Sequence, residues 1–410
     1  MSPRRQLLEC FHAAIDAVQG EHVVAAALCE QILPEKLGVV ALGKAAAAMW
    51  SGAEQVLDTR LQAGLILTRA GHGPHAVPPY CTVVEGEHPV PGAGSLRAGE
   101  VLLDWLDGLP PDLPLLFLIS GGTSALVEVP APGVSPADLV RANQWLLASG
   151  LDIGAMNAVR RRLSAIKGGR LAVWLAGRPV WQWLISDVAG DDPAVIGSGL
   201  LAPPRPPPPE APLDGLPDWL RTLCAPERPP PSASVFAHID TRILANNAMA
   251  LDAAARCAAT RFPHLPVRRH AERLSGDAVV CGQRLAACLR DGPPGVYLWG
   301  GETTVVLPET PGRGGRCQSL ALAAAEVLAG HEDLFLLAAG TDGADGPGED
   351  AGALVDGGTL RRGVEEGLDA ADCLARADAG RFLEASGDLI STGPTGTNVT
   401  DVVLACKIAP

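Results

Sequence analysis

The sequence predicts an α/β fold, because short apolar runs alternate with helical stretches along the chain. Two runs, residues 296–299 and 334–339, have the length and composition of buried strands. An apolar helix is predicted between them at residues 319–328. Strand, helix and strand together form a βαβ-like unit, which is a building block of layered α/β proteins.

Both predicted strands end in glycine followed by an acid, in residues 300–302 and 340–343, where the acids are Glu302 and Asp342. A glycine loop that contains Arg316 precedes the helix between them. Ligands of open α/β sheets bind outside the carboxyl ends of the strands, and a helix N-terminus suits phosphate. Acids beside a phosphate site indicate a divalent cation. These residues therefore predict phosphoryl chemistry with Mg²⁺.

Composition limits the classes of partner. The 410 residues correspond to about two or three domains, and 47% hydrophobic residues can bury a large core. The formal net charge is −14 and the basic residues are dispersed, whereas nucleic-acid binding needs a basic patch. We therefore predict no nucleic-acid partner.

Cysteine usage indicates a reducing compartment, and the hydropathy of the chain predicts no membrane span. The ten cysteines show no CxxC motif and no zinc spacing, so we expect buried thiols in a cytoplasmic protein. The N-terminal segment carries Glu9 and Asp16 and is typical of an amphipathic helix, not of a signal peptide. No charge-free apolar run of about 18 residues occurs, so no membrane span is predicted.

One of the few lysines follows the first predicted strand. A helix is predicted over residues 5–32, a strand at 37–42 and a helix at 45–56. Gly43 and Lys44 lie between this strand and its helix, but the GxxxxGKS/T spacing is absent, which excludes a Walker nucleotide site. Lys44 either meets an anion at the helix start or is a solvated lysine.

The next predicted elements are strands at residues 63–68 and 81–85, a helix at 95–106 and a strand at 115–119. His88 lies in the segment after the second of these strands. It is either a general base or ligand, or a histidine with a structural hydrogen bond in the loop. Ser120, Gly121 and Gly122 close the last strand. A GxGxxG dinucleotide fingerprint is not met. The turn can still hold a phosphate or carboxylate on its amides, or it is an ordinary tight turn.

A basic stripe marks the helix predicted over residues 151–176. At about 100° per residue, one face carries Asn157, Arg160, Arg161, Ser164 and Gly168, with Lys167 at its margin. Such a stripe is usually solvated. Its mixture of Asn, Arg and Ser favours a functional face here, with Arg160 and Lys167 as candidate ligand contacts.

Three aspartates, Asp187, Asp191 and Asp192, follow the strand predicted at residues 181–185. Carboxylates so close together repel one another unless they are solvated or bridged by a cation. Asp187 and Asp191 could share Mg²⁺ or orient a hydroxyl group. An exposed acidic turn is the alternative.

A change of composition follows. Residues 202–212 hold seven prolines and residues 226–231 add more, so a linker or peripheral loop is predicted. Beyond it we predict helices at 245–259 and 277–291 and a last strand at 402–406. The loop 391–401, which includes Thr395 and Asn398, either wraps a ligand or is a turn-rich connector.

Several of these segments closely resemble the glycerate kinase type 2 family, whose C-terminal part is the MOFRL domain. They include VALGKAAAAM (40–49), LISGGTSAL (118–126), GRGGRCQSLAL (312–322), AAGTDGADGPGEDAGALVD (338–356) and STGPTGTNVTD (391–401). The resemblance implies a Rossmann-like parallel-sheet domain over residues 1–232 and an α/β MOFRL domain over residues 233–410, with the active site in the cleft between them.

The resemblance also implies ATP-dependent phosphorylation of D-glycerate to 2-phosphoglycerate with Mg²⁺. It carries Lys44 and Arg316 as phosphate and substrate contacts and Asp342 as a catalytic acid group. With the loop after the strand at 181–185, the candidate carboxylates are Asp342, Asp187 and Asp191, which would hold Mg²⁺ or take the hydroxyl proton; Asp187 is a candidate for both roles and Asp191 for the metal. The other candidate substrate or phosphate contacts are Ser120, Gly121, Gly122, Arg160, Lys167, Glu302, Gln318, Thr395 and Asn398.

The chain departs from the family pattern at three positions. Cys317 and Ser319 stand where the family usually has Asn and Glu, and Leu200 stands where it usually has proline. Two other functions remain open: an NAD(P)-dependent hydroxypyruvate reductase, which the missing GxGxxG disfavours, and a catalytically inactive protein that binds a phosphorylated metabolite. The expected partners are D-glycerate and ATP, with a homodimer as an open possibility.

Overall fold

The computed structural model describes residues 2–74, 76–151, 153–175, 177–204, 215–225 and 229–408. The chain forms two compact units. The continuous unit is Gly20–Leu244, and the split unit joins Met1–Gln19 to Ala245–Pro410. The first helix, α1 (Pro3–Asp16), belongs to the split unit. The boundary predicted after residue 232 thus falls inside the continuous unit.

A six-stranded sheet forms the core of the continuous unit. Its strands are β1 (Leu37–Leu42), β2 (Leu61–Arg69), β3 (Cys81–Gly86), β4 (Leu115–Ile119), β5 (Val180–Ile185) and β6 (Ile239–Ala245). Their order is β3-β2-β1-β4-β5-β6, and the strands from β3 to β5 run parallel. This order is that of doubly wound Rossmann sheets, so the predicted Rossmann-like fold is confirmed.

The helices of this unit are α2 (Gly20–Glu30), α3 (Ala46–Leu57), α4 (Ala93–Gly108), α5 (Thr123–Leu126), α6 (Pro136–Ala148), α7 (Ile153–Leu163) and α8 (Asp218–Cys224). Every residue of β1 and β4 is buried, because these strands are apolar throughout and lie in the middle of the sheet. Their carboxyl ends are therefore held rigidly.

Two helix predictions were wrong in extent. The helix predicted over residues 5–32 is two helices, because α1 ends at Asp16 and α2 begins at Gly20. The helix predicted over residues 151–176 ends at Leu163. Beyond it, Ser164 bridges to Pro130, and Gly168 and Gly169 have left-handed φ values of 64° and 81°. The stripe of residues 157–168 is therefore not one helix face.

The split unit contains a second six-stranded sheet. Its strands are β7 (Val267–Arg269), β8 (Gly295–Gly301), β9 (Leu334–Gly340), β10 (Gly352–Asp356), β11 (Leu389–Ile390) and β12 (Asp401–Lys407), in the order β11-β10-β9-β12-β8-β7. Strand β12 lies between β8 and β9 and is antiparallel to both. The predicted strands β8 and β9 thus run parallel without touching, and both end at the edge where β12 begins.

The helices of the split unit after α1 are α9 (Asn247–Arg261), α10 (Ala278–Asp291), α11 (Arg316–Leu328), α12 (Thr359–Glu365), α13 (Ala370–Ala375) and α14 (Ala379–Ala385). Helices α10 and α11 meet closely, since a β-carbon added at Gly282 would lie 2.2 Å from the Leu320 carbonyl oxygen. Tight packing of this kind fixes α11, which begins at Arg316, against its neighbours.

Other sequence predictions have mixed outcomes. All ten cysteines are free thiols, as predicted, but they are not all buried, because Cys29 and Cys288 are exposed. Much of the proline-rich segment, residues 205–214 and 226–228, lies outside the described residues. Across the residues that are described, no helix combines the length and the apolarity that crossing a bilayer requires.

Candidate active site

Lys44 lies in the turn that follows β1, at the point of the first sheet where the chain order reverses. From β1 the chain continues to β2 and β3 on one side, and β4 lies on the other side. The Lys44 N–H donates to the Gly121 carbonyl oxygen at 2.9 Å. A β-carbon added at Gly122 would lie 3.0 Å from Lys44 Cγ. The structure therefore brings these three predicted residues together at a topological switch point, where open α/β sheets bind ligands.

Ser120 supports this turn from inside. Its buried Oγ donates to the Leu42 carbonyl oxygen at 3.1 Å and accepts from the Ala45 N–H at 3.0 Å. Gly43 has a φ of 111°, and a β-carbon there would lie 2.3 Å from Ser120 Oγ. The hydroxyl of Ser120 thus shapes the backbone around Lys44. We define residues 43–44 with 120–122 as the Lys44 corner.

His88 lies beside the same corner. Its Cδ2 would be 3.5 Å from a β-carbon at Gly122, the glycine that Lys44 also approaches. The position agrees with a ligand-facing histidine and with a structural one, so the two alternatives from the sequence stay open.

Asp187 and Asp191 lie in the loop after β5, the strand next to β4. Ser198 in this loop shares a 2.7 Å hydrogen bond with Ser124 of α5, which ties the loop to the end of β4. Both aspartates are partly exposed. Among the described residues, no group of three or more His, Cys, Asp and Glu side chains is placed to hold a metal. The two-carboxylate site stays a prediction.

Arg160 and Lys167 are close to one internal acid, Glu128. Lys167 is 1% exposed and pairs with the equally buried Glu128 carboxylate. Burial lowers the pKa of the Lys167 ammonium, although Glu128 opposes the shift. Arg160 Nε donates to Asn143 Oδ1 at 3.0 Å, and burial also lowers the pKa of its guanidinium against the attraction of Glu128. The Lys167 ammonium thus has an internal carboxylate partner, and the predicted ligand roles of both residues remain predictions.

Arg316 is the first residue of α11 and is held by two acids. Its Nε and Nη2 donate to the two carboxylate oxygens of Asp401 at 2.6 and 2.9 Å. Its Nη1 lies 2.8 Å from Glu302 Oε1. Burial acts to lower the pKa of the Arg316 guanidinium, but Asp401 and Glu302 outweigh it and raise the pKa above its ordinary value. Arg316 is therefore a fixed, permanent cation.

Asp401 reaches Arg316 because of the inserted strand. It is the first residue of β12 and pairs with Gly301 on one side and with Gly340 on the other. Asp342 follows β9, and a β-carbon at Gly340 would lie 3.2 Å from Asp342 Oδ1 and 3.6 Å from Asp401 Oδ1. Two carboxylates therefore flank one glycine. We define residues 302, 316, 342 and 401 as the Arg316 corner.

The loop 391–401 wraps the start of this corner. Thr395 Oγ1 donates to the Thr341 carbonyl oxygen at 2.5 Å, and its N–H donates to the Asp342 carbonyl oxygen at 3.5 Å. Asn398 is 8% exposed. The amide nitrogen of Asn247 donates to the Val399 carbonyl oxygen at 3.0 Å. The loop is thus fixed by hydrogen bonds within the split unit, and the ligand roles of Thr395 and Asn398 stay predictions.

The N-terminus of α11 is closed by a carboxylate that the sequence did not single out. The N–H groups of Cys317 and Gln318 donate to Asp345 Oδ1 and Oδ2 at 3.0 and 2.8 Å. The Asp345 carboxylate therefore binds the N–H groups at which the sequence predicted a phosphate. Gln318 is 1% exposed, and its Oε1 has no partner among the described residues.

Comparisons with known proteins place the chain in a family. Residues 6–212 match the family described as a domain of unknown function, DUF4147, and residues 295–401 match the MOFRL family. A D-glycerate 2-kinase of Thermotoga maritima is 33% identical, with 98% of this chain and 98% of that protein covered. The chain belongs to the glycerate 2-kinase family. The crystal structure of a glycerate kinase from Thermotoga maritima superposes with a TM-score of 0.83 at 32% identity, covering 99% of each chain.

Names within the glycerate 2-kinase family differ. A protein of Agrobacterium vitis, 38% identical over 89% of this chain and 97% of its own length, is provisionally named a hydroxypyruvate reductase. The names of relatives therefore suggest two reactions, phosphorylation of glycerate and reduction of hydroxypyruvate.

The departures from the glycerate 2-kinase pattern lie inside the protein. Cys317 and Ser319 are 2% and 3% exposed, and Leu200 is 1% exposed. Burial raises the pKa of the Cys317 thiol well above its ordinary value, and the Asp401 and Asp345 carboxylates add to the shift. All three departures are thus buried residues, and the Arg316 guanidinium contacts Asp401 in their presence.

Sequence reasoning missed two residues beside the start of α11, Asp401 and Asp345. Both are buried acids: Asp401 is the first residue of β12, and Asp345 lies in the loop after β9. A carboxylate immediately before an apolar strand was the available signal for Asp401. Their partners in α11 lie 85 and 28 residues away in sequence, so only the fold reveals the contacts.

Proposed function

We propose that this member of the glycerate 2-kinase family transfers the γ-phosphoryl group of ATP to the 2-hydroxyl of D-glycerate, with Mg²⁺, and yields 2-phosphoglycerate. The Arg316 corner is the observation that carries the proposal, because a permanent cation is oriented there beside the partly exposed Asp342. Phosphoryl transfer depends on positioning and charge more than on covalent chemistry, and such a corner supplies both.

Arg316 is proposed to stabilise the transferring phosphoryl group. Asp401 fixes the guanidinium through Nε and Nη2, so Nη1 is the nitrogen that faces the less buried acid, Glu302. The side chain of Glu302 is 47% exposed, and a surface ion pair of this kind is weak. We infer that an anionic oxygen of the substrate replaces Glu302 on Nη1.

Lys44 is proposed as the second cation, and Asp342 as the group that accepts the hydroxyl proton. The Lys44 backbone is fixed by the Gly121 carbonyl oxygen and by the turn around Ser120, so the cation requires little rearrangement to act. Asp342 is partly exposed at the end of β9. We include in the proposal that both corners serve one reaction in the cleft expected between the two units.

Mg²⁺ would be held by Asp187 and Asp191. Both carboxylates are partly exposed in one loop after β5, and Mg²⁺ commonly takes one or two carboxylates together with the phosphates of the substrate. When bound, the ion neutralises charge on the phosphates. The two residues fit that requirement, although no larger acidic group is present among the described residues.

A coupled assay of ADP release with D-glycerate and a panel of hydroxy acids tests the proposal. Lys44→Ala and Arg316→Ala should each lower kcat by roughly 10²-fold, since a preorganised charge contact is worth about that much. Lys36→Ala, at an exposed lysine of the continuous unit, is the control. Normal turnover in both active-site variants would reject the assigned roles. Phosphorus NMR of the product identifies the phosphorylated hydroxyl.

The name of the Agrobacterium vitis relative supports a second candidate, a hydroxypyruvate reductase. Against it, the turn at the topological switch point carries Lys44 without the glycine fingerprint of a dinucleotide site. Oxidation of NADH that depends on hydroxypyruvate would favour this reaction. Stabilisation by a ligand without ADP release would favour the inactive binding protein instead.

A cytoplasmic location and a homodimeric state remain predictions. Sedimentation velocity at several protein concentrations measures the assembly state, and a single monomer peak would contradict the dimer.

A further inference from the structure

Asp345 closes the first turn of α11 from inside the split unit. Its carboxylate accepts from the backbone N–H groups of Cys317 and Gln318 at 3.0 and 2.8 Å, and the residue is 2% exposed. The first four N–H groups of a helix have no partner within the helix. Asp345 satisfies two of them, and these two directly follow Arg316.

The glycine loop before α11 leaves space for this carboxylate. A β-carbon added at Gly315 would lie 2.3 Å from Asp345 Oδ1, and one added at Gly346 would lie 2.7 Å from the Gly314 carbonyl oxygen. The two backbone segments therefore approach each other more closely than side chains would permit. This approach places the carboxylate where the helix begins, and it excludes an external anion from the same N–H groups.

We propose that Asp345 is the positioning residue of Arg316. By fixing the backbone of the next two residues, it fixes the direction in which the Arg316 side chain leaves the helix. Asp401 then orients the guanidinium at its far end. The inference deepens the proposed function, because it assigns a residue that acts on the reaction through Arg316 and does not touch the substrate.

The charged and titratable groups around Asp345 are Asp401, Arg316 and the Cys317 thiol. Burial raises the pKa of the Asp345 carboxyl to about 7, with Asp401 adding to the increase, while Arg316 and the two helix N–H groups oppose it. Protonation converts one acceptor oxygen to a hydroxyl and weakens one of the two hydrogen bonds. Both hydrogen bonds to the α11 backbone are therefore fully formed only well above pH 7, and one of them weakens as the pH falls through about 7.

Steady-state kinetics from pH 5.5 to 8.5 tests the role. Asp345→Asn keeps the size of the side chain but turns one acceptor into a donor that opposes a helix N–H. At pH 8 we expect kcat to fall about 10- to 100-fold, as misplaced catalytic groups commonly cause, with KM for D-glycerate nearly unchanged. The acid limb of the wild-type kcat profile should disappear in the variant.

Asp388→Asn is the matched control. Asp388 is also 2% exposed in the split unit, and it pairs with Arg362 and Arg4, not with α11. It should lower stability while leaving kcat and its acid limb intact. A similar loss of kcat in both variants, or an acid limb that survives in Asp345→Asn, would overturn the proposal.

A second measurement does not depend on activity. The Nε–H resonance of Arg316, identified by its loss in Arg316→Lys, should titrate in the wild type together with the backbone N–H resonances of Cys317 and Gln318, with one apparent pKa. If the protein fails to phosphorylate D-glycerate, the proposed function falls and this titration still decides the role of Asp345. An Arg316 resonance that does not move between pH 5.5 and 8.5 would contradict the inference.

Discussion

The Lys44 corner and the Arg316 corner present the same kind of group by different means. Each places a cation at the carboxyl ends of buried strands. The Lys44 turn is held by neutral hydrogen bonds from the backbone and from the Ser120 hydroxyl. Arg316 is held by three carboxylates, two on its guanidinium and one on its helix. Substitutions that change the backbone conformation should therefore disturb the Lys44 corner most, and substitutions that remove a charge should disturb the Arg316 corner most.

The largest effect is expected where a buried charge loses its partner. Asp401→Ala removes the carboxylate that contacts two guanidinium nitrogens of Arg316. We expect unfolding free energy to fall by about 3 kcal/mol or more, as for other broken buried pairs, and kcat to fall by roughly 10²-fold. Denaturant unfolding and the ADP-release assay measure the two losses.

A surface pair of the same unit provides the control for Asp401. Asp252→Ala breaks the half-exposed pair with Arg269 and should change stability by less than about 1 kcal/mol. Equal losses in Asp401→Ala and Asp252→Ala would show that charge does not hold the Arg316 corner.

The Lys44 corner should instead be disrupted by a substitution that changes its backbone conformation. Gly43→Ala puts a methyl group 2.3 Å from Ser120 Oγ at a residue with φ 111°. We expect a loss of about 2–3 kcal/mol from strain and overlap together, and reduced turnover because the Lys44 turn must move. Calorimetry and the kinase assay report both.

Gly71→Ala separates strain from overlap. Gly71 has a φ of 76° in the same unit, but nothing lies within 4 Å of an added β-carbon. The unfolding free energy should fall only by the cost of the left-handed backbone conformation, about 1 kcal/mol, and turnover should be unchanged. If Gly43→Ala behaves like Gly71→Ala, close packing around Lys44 is not what shapes that corner.

The pH dependence of stability should distinguish the corners further. The folded-state pKa of Asp345, about 7, exceeds its ordinary value of 3.8. Between these values the folded protein holds a proton that the unfolded chain has lost, so this group's contribution to stability falls as the pH rises from 3.8 to 7. Between pH 5 and 6 the wild type should lose about 1 kcal/mol more than Asp345→Asn. Parallel curves for both proteins would contradict the assignment.

The smallest effect is expected at Glu302. Its side chain is 47% exposed in the pair with Arg316, so Glu302→Gln should change stability by less than about 1 kcal/mol. If the substrate replaces Glu302 on Nη1, kcat stays within about threefold and KM for D-glycerate falls, because a competing carboxylate is gone. An increase in KM would indicate that Glu302 binds the substrate directly.

Strands β1, β4, β8 and β9 could be predicted, because each is an apolar run that ends in a glycine or a glycine-rich turn. Strand β7 could not, since it is only Val267–Arg269 and two of its three residues are arginine. The position of β12 between β8 and β9 depends on tertiary packing, which local sequence patterns do not predict.

The candidate site divides in the same way. Lys44 and Arg316 were found because glycine turns mark them in sequence. Asp345 and Asp401 became visible only when the fold brought distant segments together. Lys167 stands out in the sequence for its place beside glycines, and only the fold shows that its ammonium pairs with the buried Glu128 carboxylate.

The insertion of β12 also affects the order of events during synthesis. The continuous unit is complete in the chain before β8 is translated, and proteins commonly fold such units as they leave the ribosome. The split unit must wait, because its sheet has a gap between β8 and β9 until Asp401 and the residues after it emerge. Its nascent form therefore exposes two unpaired strand edges that only the final segment covers.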